Sequence, residues 1–257
     1  MAKEQENRRP GTPIVIAMKG HPGTGKSTLA RALSSALKIP LLDKDDVRDC
    51  TLALQQRHQP PDGLLNDLAY DVVFAVAATQ LSNGLSVVVD SPLSRRARLD
   101  RLVRLASSHG ARIAVVECRP GDEAEWRRRL EARRDAGSWH KPATWRDLER
   151  LLEAYGGCTE YDLGGVPRLV VDTTRGGDGG AAAAAAAAEE FVAAVRGGRV
   201  MKRASASEYL VGRRHEWRLR PSDRDESSTA VIIPGPRDCF IFINQCKCEI
   251  TVGVCIC

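Results

Sequence analysis

The chain has 257 residues, 43% of them hydrophobic, and a formal net charge of +5. That composition supports a packed core in one main domain and excludes the low-hydrophobicity, high-charge class of disordered chains. The positive charge is rich in arginine and spread along predicted helices, its longest cluster being Arg127–Arg129, so the charge pattern does not indicate a nucleic-acid binder, which gathers its charge on one face.

The residues Met1–Pro13 are polar and charged, without an apolar core of the leader type, and no later stretch approaches the roughly 18 consecutive apolar residues of a membrane helix. The expectation is a cytoplasmic protein that engages no membrane. Of the eight cysteines, Cys50, Cys118 and Cys158 lie far apart and are expected to be reduced thiols. The other five crowd between Cys239 and Cys257.

Short apolar runs alternate with helical patterns along the chain. Ile14–Met18, Ile39–Leu42, Ser86–Val89, Ile113–Val116 and Leu169–Val171 are rich in β-branched residues and apolar on both faces, as strands of a parallel sheet covered by helices are. Between them, Leu29, Leu33 and Leu37 recur at helical spacing, as do Leu65, Leu68, Val72 and Val76, and each stripe is expected to pack on the sheet. Leu99–Ala106 supplies a further helix. After the last of these strands, a glycine-rich link leads into Ala181–Ala188, which with Glu189–Val195 predicts a final helix on propensity alone. The pattern is α/β, with a five-stranded parallel sheet between helical layers and right-handed crossovers. The expected organisation is a flexible N-terminus at 1–13, an ATP-binding domain at 14–196, and a flexible, cysteine-rich extension at 197–257.

The segment Gly20-His21-Pro22-Gly23-Thr24-Gly25-Lys26-Ser27-Thr28 follows the first strand and opens the first helix, the context that a phosphate-binding loop requires. Its glycines let backbone N–H groups turn onto phosphate oxygens at the positive end of the helix dipole. Gly20, Pro22, Gly23, Thr24, Gly25, Lys26, Ser27 and Thr28 are the candidate nucleotide-binding residues. Lys26 is expected to reach the β- and γ-phosphates of ATP, and the Ser27 hydroxyl to meet magnesium. His21 reads as a variable, solvent-facing loop position.

No Asn-Lys-x-Asp element is present, which argues against a GTPase. The third strand ends Asp90-Ser91-Pro92, without the following glutamate that polarises water in motor-type ATPases. The second strand runs into Asp43-Lys44-Asp45-Asp46-Val47-Arg48, placing carboxylates and an arginine where ligands bind in open α/β sheets. Phosphoryl transfer to a hydroxyl needs such a carboxylate to orient the acceptor and a cation to hold it.

With these residues the chain resembles the small phosphate-loop kinases that include polynucleotide 5′-kinase, zeta-toxin-like and chloramphenicol-phosphotransferase-like enzymes, and AAA-type ATP-binding domains. The resemblance rests on Gly20–Thr28, Asp45–Arg48, Val87–Asp90 with Arg95 and Arg96, and the arginine-rich stretch Arg127–Arg134, and it spans Ile14–Asp172. It implies a kinase using ATP and Mg²⁺ on a hydroxyl acceptor, either a small molecule or a polynucleotide 5′-end. Asp45 is then the base toward the acceptor, with Arg48 as its partner and Asp90 acting through magnesium-bound water or on the acceptor. The alternative for Asp45 is an N-cap of the following helix. Glu125–Asp135 reads as a lid helix with Arg129 and Arg133 on one face, both poised over the triphosphate.

Past the lid, Ser138-Trp139-His140-Lys141-Pro142 and Trp145 form an aromatic and basic cluster that either approaches the acceptor or anchors the next helix. Thr173 and Thr174 are weak candidates for the adenine side. In the tail, the Cys-x-Cys spacings at Cys246/Cys248 and Cys255/Cys257 match zinc sites poorly. The other functional readings are an ATP-dependent switch or adaptor and a slow ATPase. Oligomeric state is not written in the sequence.

Overall fold

Alternate residues of strand β1 (Ile14–Lys19) face two separate cores. Ile14, Ile16 and Met18 pack with helices α1 (Lys26–Leu37) and α8 (Gly177–Arg196), whereas Val15 and Ala17 pack with α4 (Leu64–Ser82) and α5 (Arg96–Ser108). A strand buried on both faces is continuously apolar for this reason. Ile14, Val15, Ile16 and Met18 each contribute roughly 1.5–3 kcal/mol by leaving water. The computed structural model describes residues 11–61, 63–135, 140–174, 177–198, 231–234, 239–246 and 249–256.

The parallel sheet predicted from the sequence is present. Strands β2 (Leu41–Asp43), β3 (Val87–Asp90), β1, β4 (Arg112–Arg119) and β5 (Arg168–Asp172) lie side by side in that order, all parallel. Because β1 sits between β3 and β4, the connections diverge at its C-terminal end, where open α/β sheets form a crevice. The phosphate loop leaves from that point. Helices α2 (Lys44–Asp49), α3 (Leu52–His58), α6 (Glu123–Glu131) and α7 (Trp145–Tyr155) complete this part of the fold.

Beyond the five strands, β6 (Val231–Pro234), β7 (Cys239–Cys246) and β8 (Glu249–Ile256) form an antiparallel set. This set joins β5 through a parallel pairing of β8, with Leu169 opposite Ile250. The β-prone run Cys239–Ile243 opens β7. Cys239 stands opposite Ile256 and Cys246 opposite Glu249. The stretch through Ala230 expected to be flexible, and Cys248 and Cys257, lie outside the described residues.

Helix α4 departs from its expected orientation. Leu65, Ala69, Tyr70, Val73, Phe74, Ala77 and Leu81 are buried, while Leu64, Leu68, Val72 and Val76 are exposed. The helix is apolar around most of its circumference, so periodicity alone did not select the buried face. Packing selected the side carrying the aromatic pair Tyr70 and Phe74, whose rings meet at 5.8 Å. By length and composition α4 is the one described helix apolar enough to cross a membrane. Here Asp67 and Asp71 pair with Arg98 and Arg101 of α5 along its flank.

Helix α7 starts at a reciprocal capping box. The Thr144 hydroxyl accepts from the Asp147 N–H at 3.2 Å, and an Asp147 carboxylate oxygen accepts from the Thr144 N–H at 3.1 Å. Replacing Thr144 with Ala is expected to cost about 1 kcal/mol. A lower denaturant midpoint at unchanged m-value checks this.

Candidate active site

The loop after β1 holds its shape through close backbone approaches. Gly20 has φ of +143°, and a Cβ there would lie 2.6 Å from the Cys118 carbonyl oxygen. Gly25 caps α1 at φ of +81°, and its Cβ would meet the Thr173 hydroxyl at 2.9 Å. Only glycine meets both the left-handed backbone and the crowding. The Thr24 hydroxyl donates to the His21 carbonyl at 2.8 Å, and the Thr173 hydroxyl donates to the Thr24 carbonyl at 2.5 Å.

Within this frame Lys26, Ser27, Asp45, Arg133 and Lys141 line one narrow crevice of about 30 Å³, with His21, Pro22, Gly23 and Pro92 as its remaining wall. Lys26 Nζ lies 3.0 Å from Asp90 Oδ1, and both side chains are buried. Burial opposes the charge on Lys26, but Asp90 and Asp45 outweigh it and raise its pKa. Neither carboxylate oxygen of Asp90 takes part in a directed hydrogen bond. A buried carboxylate with spare lone pairs, beside a serine hydroxyl at a phosphate loop, fits the oxygen-rich, partly hydrated coordination that Mg²⁺ prefers. Among the described residues no group of three or more His, Cys, Asp or Glu is arranged for a metal, so phosphate and water oxygens would complete such a shell.

Asp45 is not the N-cap of α2. Asp43 is, accepting the Asp45 N–H at 2.8 Å. The Asp45 side chain is instead held by Lys44 Nζ at 2.9 Å and His140 Nε2 at 3.2 Å on Oδ1, and by Lys141 Nζ at 2.9 Å on Oδ2. Burial pushes this carboxyl up, but the His140 hydrogen bond and the two lysines prevail and hold it far below the usual carboxylate range. His140 Nδ1 also lies 3.1 Å from Asp49 Oδ1. His140 and Lys141 of the basic cluster therefore engage the candidate acceptor carboxylate, while Trp139 and Ser138 lie outside the described residues.

The arginines divide. The lid helix ends at Glu131 and continues as a 3-10 turn, Ala132–Asp135, so Arg129 and Arg133 do not share a helical face. Arg133 lines the crevice. Arg129 donates to Glu125 at 2.6 Å and to the Thr173 carbonyl at 2.9 Å, which ties α6 to the end of β5. The Arg48 guanidinium donates to the Thr51 hydroxyl at 2.6 Å and to Gln55 at 3.4 Å, and it does not line the crevice.

Thr173 and Thr174 are buried struts: Thr173 braces the loop, and Thr174 Oγ1 accepts the N–H groups of Gly121 and Asp122, each at 3.0 Å. His21 is half-buried and stacks on Trp126 at 6.2 Å and Tyr155 at 6.5 Å. The Trp126 indole N–H donates to the Pro22 carbonyl at 2.8 Å, and Trp145 meets the Trp126 ring edge-on at 5.1 Å, anchoring α7 to α6.

Asp43 is the residue that sequence reasoning missed. It ends β2 directly opposite Asp90 of β3, a pairing visible only once the strand order is known. Burial, then Asp90, raise its carboxyl to about 6. A raised carboxyl binds its proton more tightly in the folded than in the unfolded chain, so its contribution to stability falls as pH rises from about 4 to 6. Asp43→Asn keeps a capping oxygen and removes the charge. The variant is expected to be more stable than the parent by about 2–3 kcal/mol at pH 8, the difference fading by pH 4, as urea titrations at both pH values would show.

Comparison with known proteins agrees with this architecture. A family model described as AAA domain matches residues 15–157, more than half of the chain. The chain is similar in structure to a protein from Chloroflexus aurantiacus J-10-fl described as a "putative kinase", with TM-score 0.55 and 23% identity over 72% of this chain and 98% of that one. It is also similar to a sugar kinase from Janibacter sp. HTCC2649, with TM-score 0.51 and 16% identity over 72% of this chain and 97% of that one. At these identities the likeness is one of fold. No curated protein matches the chain. The loop, the β2-β3-β1-β4-β5 sheet and the family match together make this chain a member of the AAA domain family, built on the phosphate-loop kinase fold.

Proposed function

We propose that the protein is a kinase that transfers the γ-phosphoryl group of ATP to a hydroxyl acceptor. The observation that carries this is the convergence of Lys26, Ser27, Asp45, Arg133 and Lys141 on one crevice at the C-terminal end of β1. The loop N–H groups and Lys26 bind the donor phosphates. Ser27 and Asp90 would hold Mg²⁺, which when bound neutralises phosphate charge.

Asp45, ionised at any ordinary pH, accepts a hydrogen bond from the acceptor hydroxyl and aims its oxygen at the phosphorus. Strong proton abstraction is not required, because phosphoryl transfer passes through a loose transition state that demands positioning and charge stabilisation above all. Arg133 and Lys141 meet the charge that spreads over the transferring group. Arg129 and Arg48 act through the struts they form, Arg129 by fixing α6 and Arg48 by fixing the start of α3.

The test is label transfer from γ-labelled ATP with magnesium across hydroxyl compounds and 5′-hydroxyl oligonucleotides, with Lys26→Ala and Asp45→Asn beside the parent. Labelled product lost in both variants supports the kinase. Free phosphate alone, lost with Lys26→Ala and retained with Asp45→Asn, overturns it in favour of an ATPase or a switch.

A further inference from the structure

Beside the phosphate crevice lies a larger cavity of about 250 Å³, and the two share His21 and Pro92 as a common wall. Its lining includes two buried charges that the phosphate site does not use, Lys19 and Glu117, 5% and 2% exposed. They come from the ends of adjacent strands β1 and β4 and stand opposite each other in register. Glu117 Oε1 accepts from Lys19 Nζ and from Arg119 Nε, each at 2.9 Å. Its Oε2, 2.7 Å from the Arg168 guanidinium, accepts no directed hydrogen bond. At the rim Arg119 donates to Glu160 at 2.8 Å.

We propose that this cavity is the acceptor subsite and that it takes a neutral, hydroxyl-rich ring compound of monosaccharide size. The inference rests on the kinase reading above. Three features carry it. A buried ion pair is seldom stabilising compared with apolar residues of similar volume, so Lys19 and Glu117 at a cavity wall are better accounted for by recognition than by packing. Lys19 gives one hydrogen to Glu117 and lies against the Tyr161 ring at 5.4 Å, which leaves it donor capacity, while the exposed carboxylate of Glu160 on the same lining supplies the acceptor that Glu117, buried and paired with Arg168, does not. A donor and an acceptor on one lining are what neighbouring hydroxyl groups require.

Among the lining residues Lys19 and Arg119 are balanced by Glu117 and Glu160, and Arg168 beside Glu117 leaves one positive charge in excess, too little to hold a polyanion such as an oligonucleotide end. The indole of Trp126 and the imidazole of His21 supply a flat wall for the apolar face of a ring. The volume falls just below the roughly 300–1,000 Å³ of drug-sized sites. A ligand seated there lies across the shared His21 and Pro92 wall from Lys26 and Asp45.

The experiment measures label transfer from MgATP to D-glucose, D-ribose, myo-inositol and a 5′-hydroxyl trinucleotide by the full chain. Saturation-transfer NMR of the same compounds without ATP runs in parallel. Glu117→Gln tests the floor and Glu160→Gln the exposed rim, so that the rim variant carries the test should the buried one fail to fold. The expected result is transfer to a monosaccharide-sized compound, with its KM raised about tenfold or more in the variants and the KM for ATP unchanged. Transfer to the trinucleotide alone, or to a small compound whose KM neither variant moves, overturns the subsite while leaving the kinase. Absence of transfer together with a saturation signal lost in the variants overturns the kinase and leaves the cavity a binding site. Absence of both transfer and signal overturns the proposal.

Discussion

Lys26→Ala is expected to lower phosphoryl transfer by about 10²–10³-fold, the usual consequence of removing one positioned electrostatic stabiliser, and to weaken ATP binding in an equilibrium titration. The same substitution strips the cation from Asp90, which is 1% exposed and 3.0 Å from Lys26 Nζ. An uncompensated buried charge costs about 3–5 kcal/mol, so the single variant is expected to melt earlier as well. The two effects separate in a double variant. Lys26→Ala/Asp90→Asn removes both charges, and thermal unfolding should recover most of the lost stability while transfer stays absent. Recovery of activity in the double variant would show that Lys26 acts only by neutralising Asp90.

Asp45→Asn is expected to reduce kcat by about 10²–10⁴-fold with the KM for ATP unchanged. The amide keeps the shape but loses the charge that Lys44, His140 and Lys141 surround, so the hydroxyl is no longer drawn toward the phosphorus. Because the His140 hydrogen bond and the two lysines hold the carboxyl ionised, the parent should show no loss of rate from Asp45 protonation on moving from pH 8 to pH 5. A rate that falls through that range in the parent and not in Asp45→Asn would assign proton abstraction to Asp45 after all.

The nucleotide loop was legible because it is local: strand, glycine spacing, lysine, serine and helix are contiguous, and their geometry follows from backbone sterics within a dozen residues. The strands were legible for the same reason, since burial on both faces leaves a continuous apolar run. Legibility failed where two faces of one element are chemically alike, as on α4. There the aromatic residues Tyr70 and Phe74 went inward and Leu68, Val72 and Val76 stayed exposed. The bracing role of Thr173 and Thr174 was not legible either, because their hydroxyls are engaged by groups remote in sequence, Thr24, Gly121 and Asp122.

Sequence by itself determined the α/β class, the parallel strands and the position of the phosphate loop, because each depends on short-range periodicity and local conformational preference. Tertiary structure alone decided that Asp43 faces Asp90, that Arg133 reaches the crevice while Arg129 braces β5, that His140 and Lys141 clamp Asp45, and that Lys19 meets Glu117. Each of these brings together groups far apart in the chain, and its energy depends on a separation and a burial that no residue's own neighbours specify.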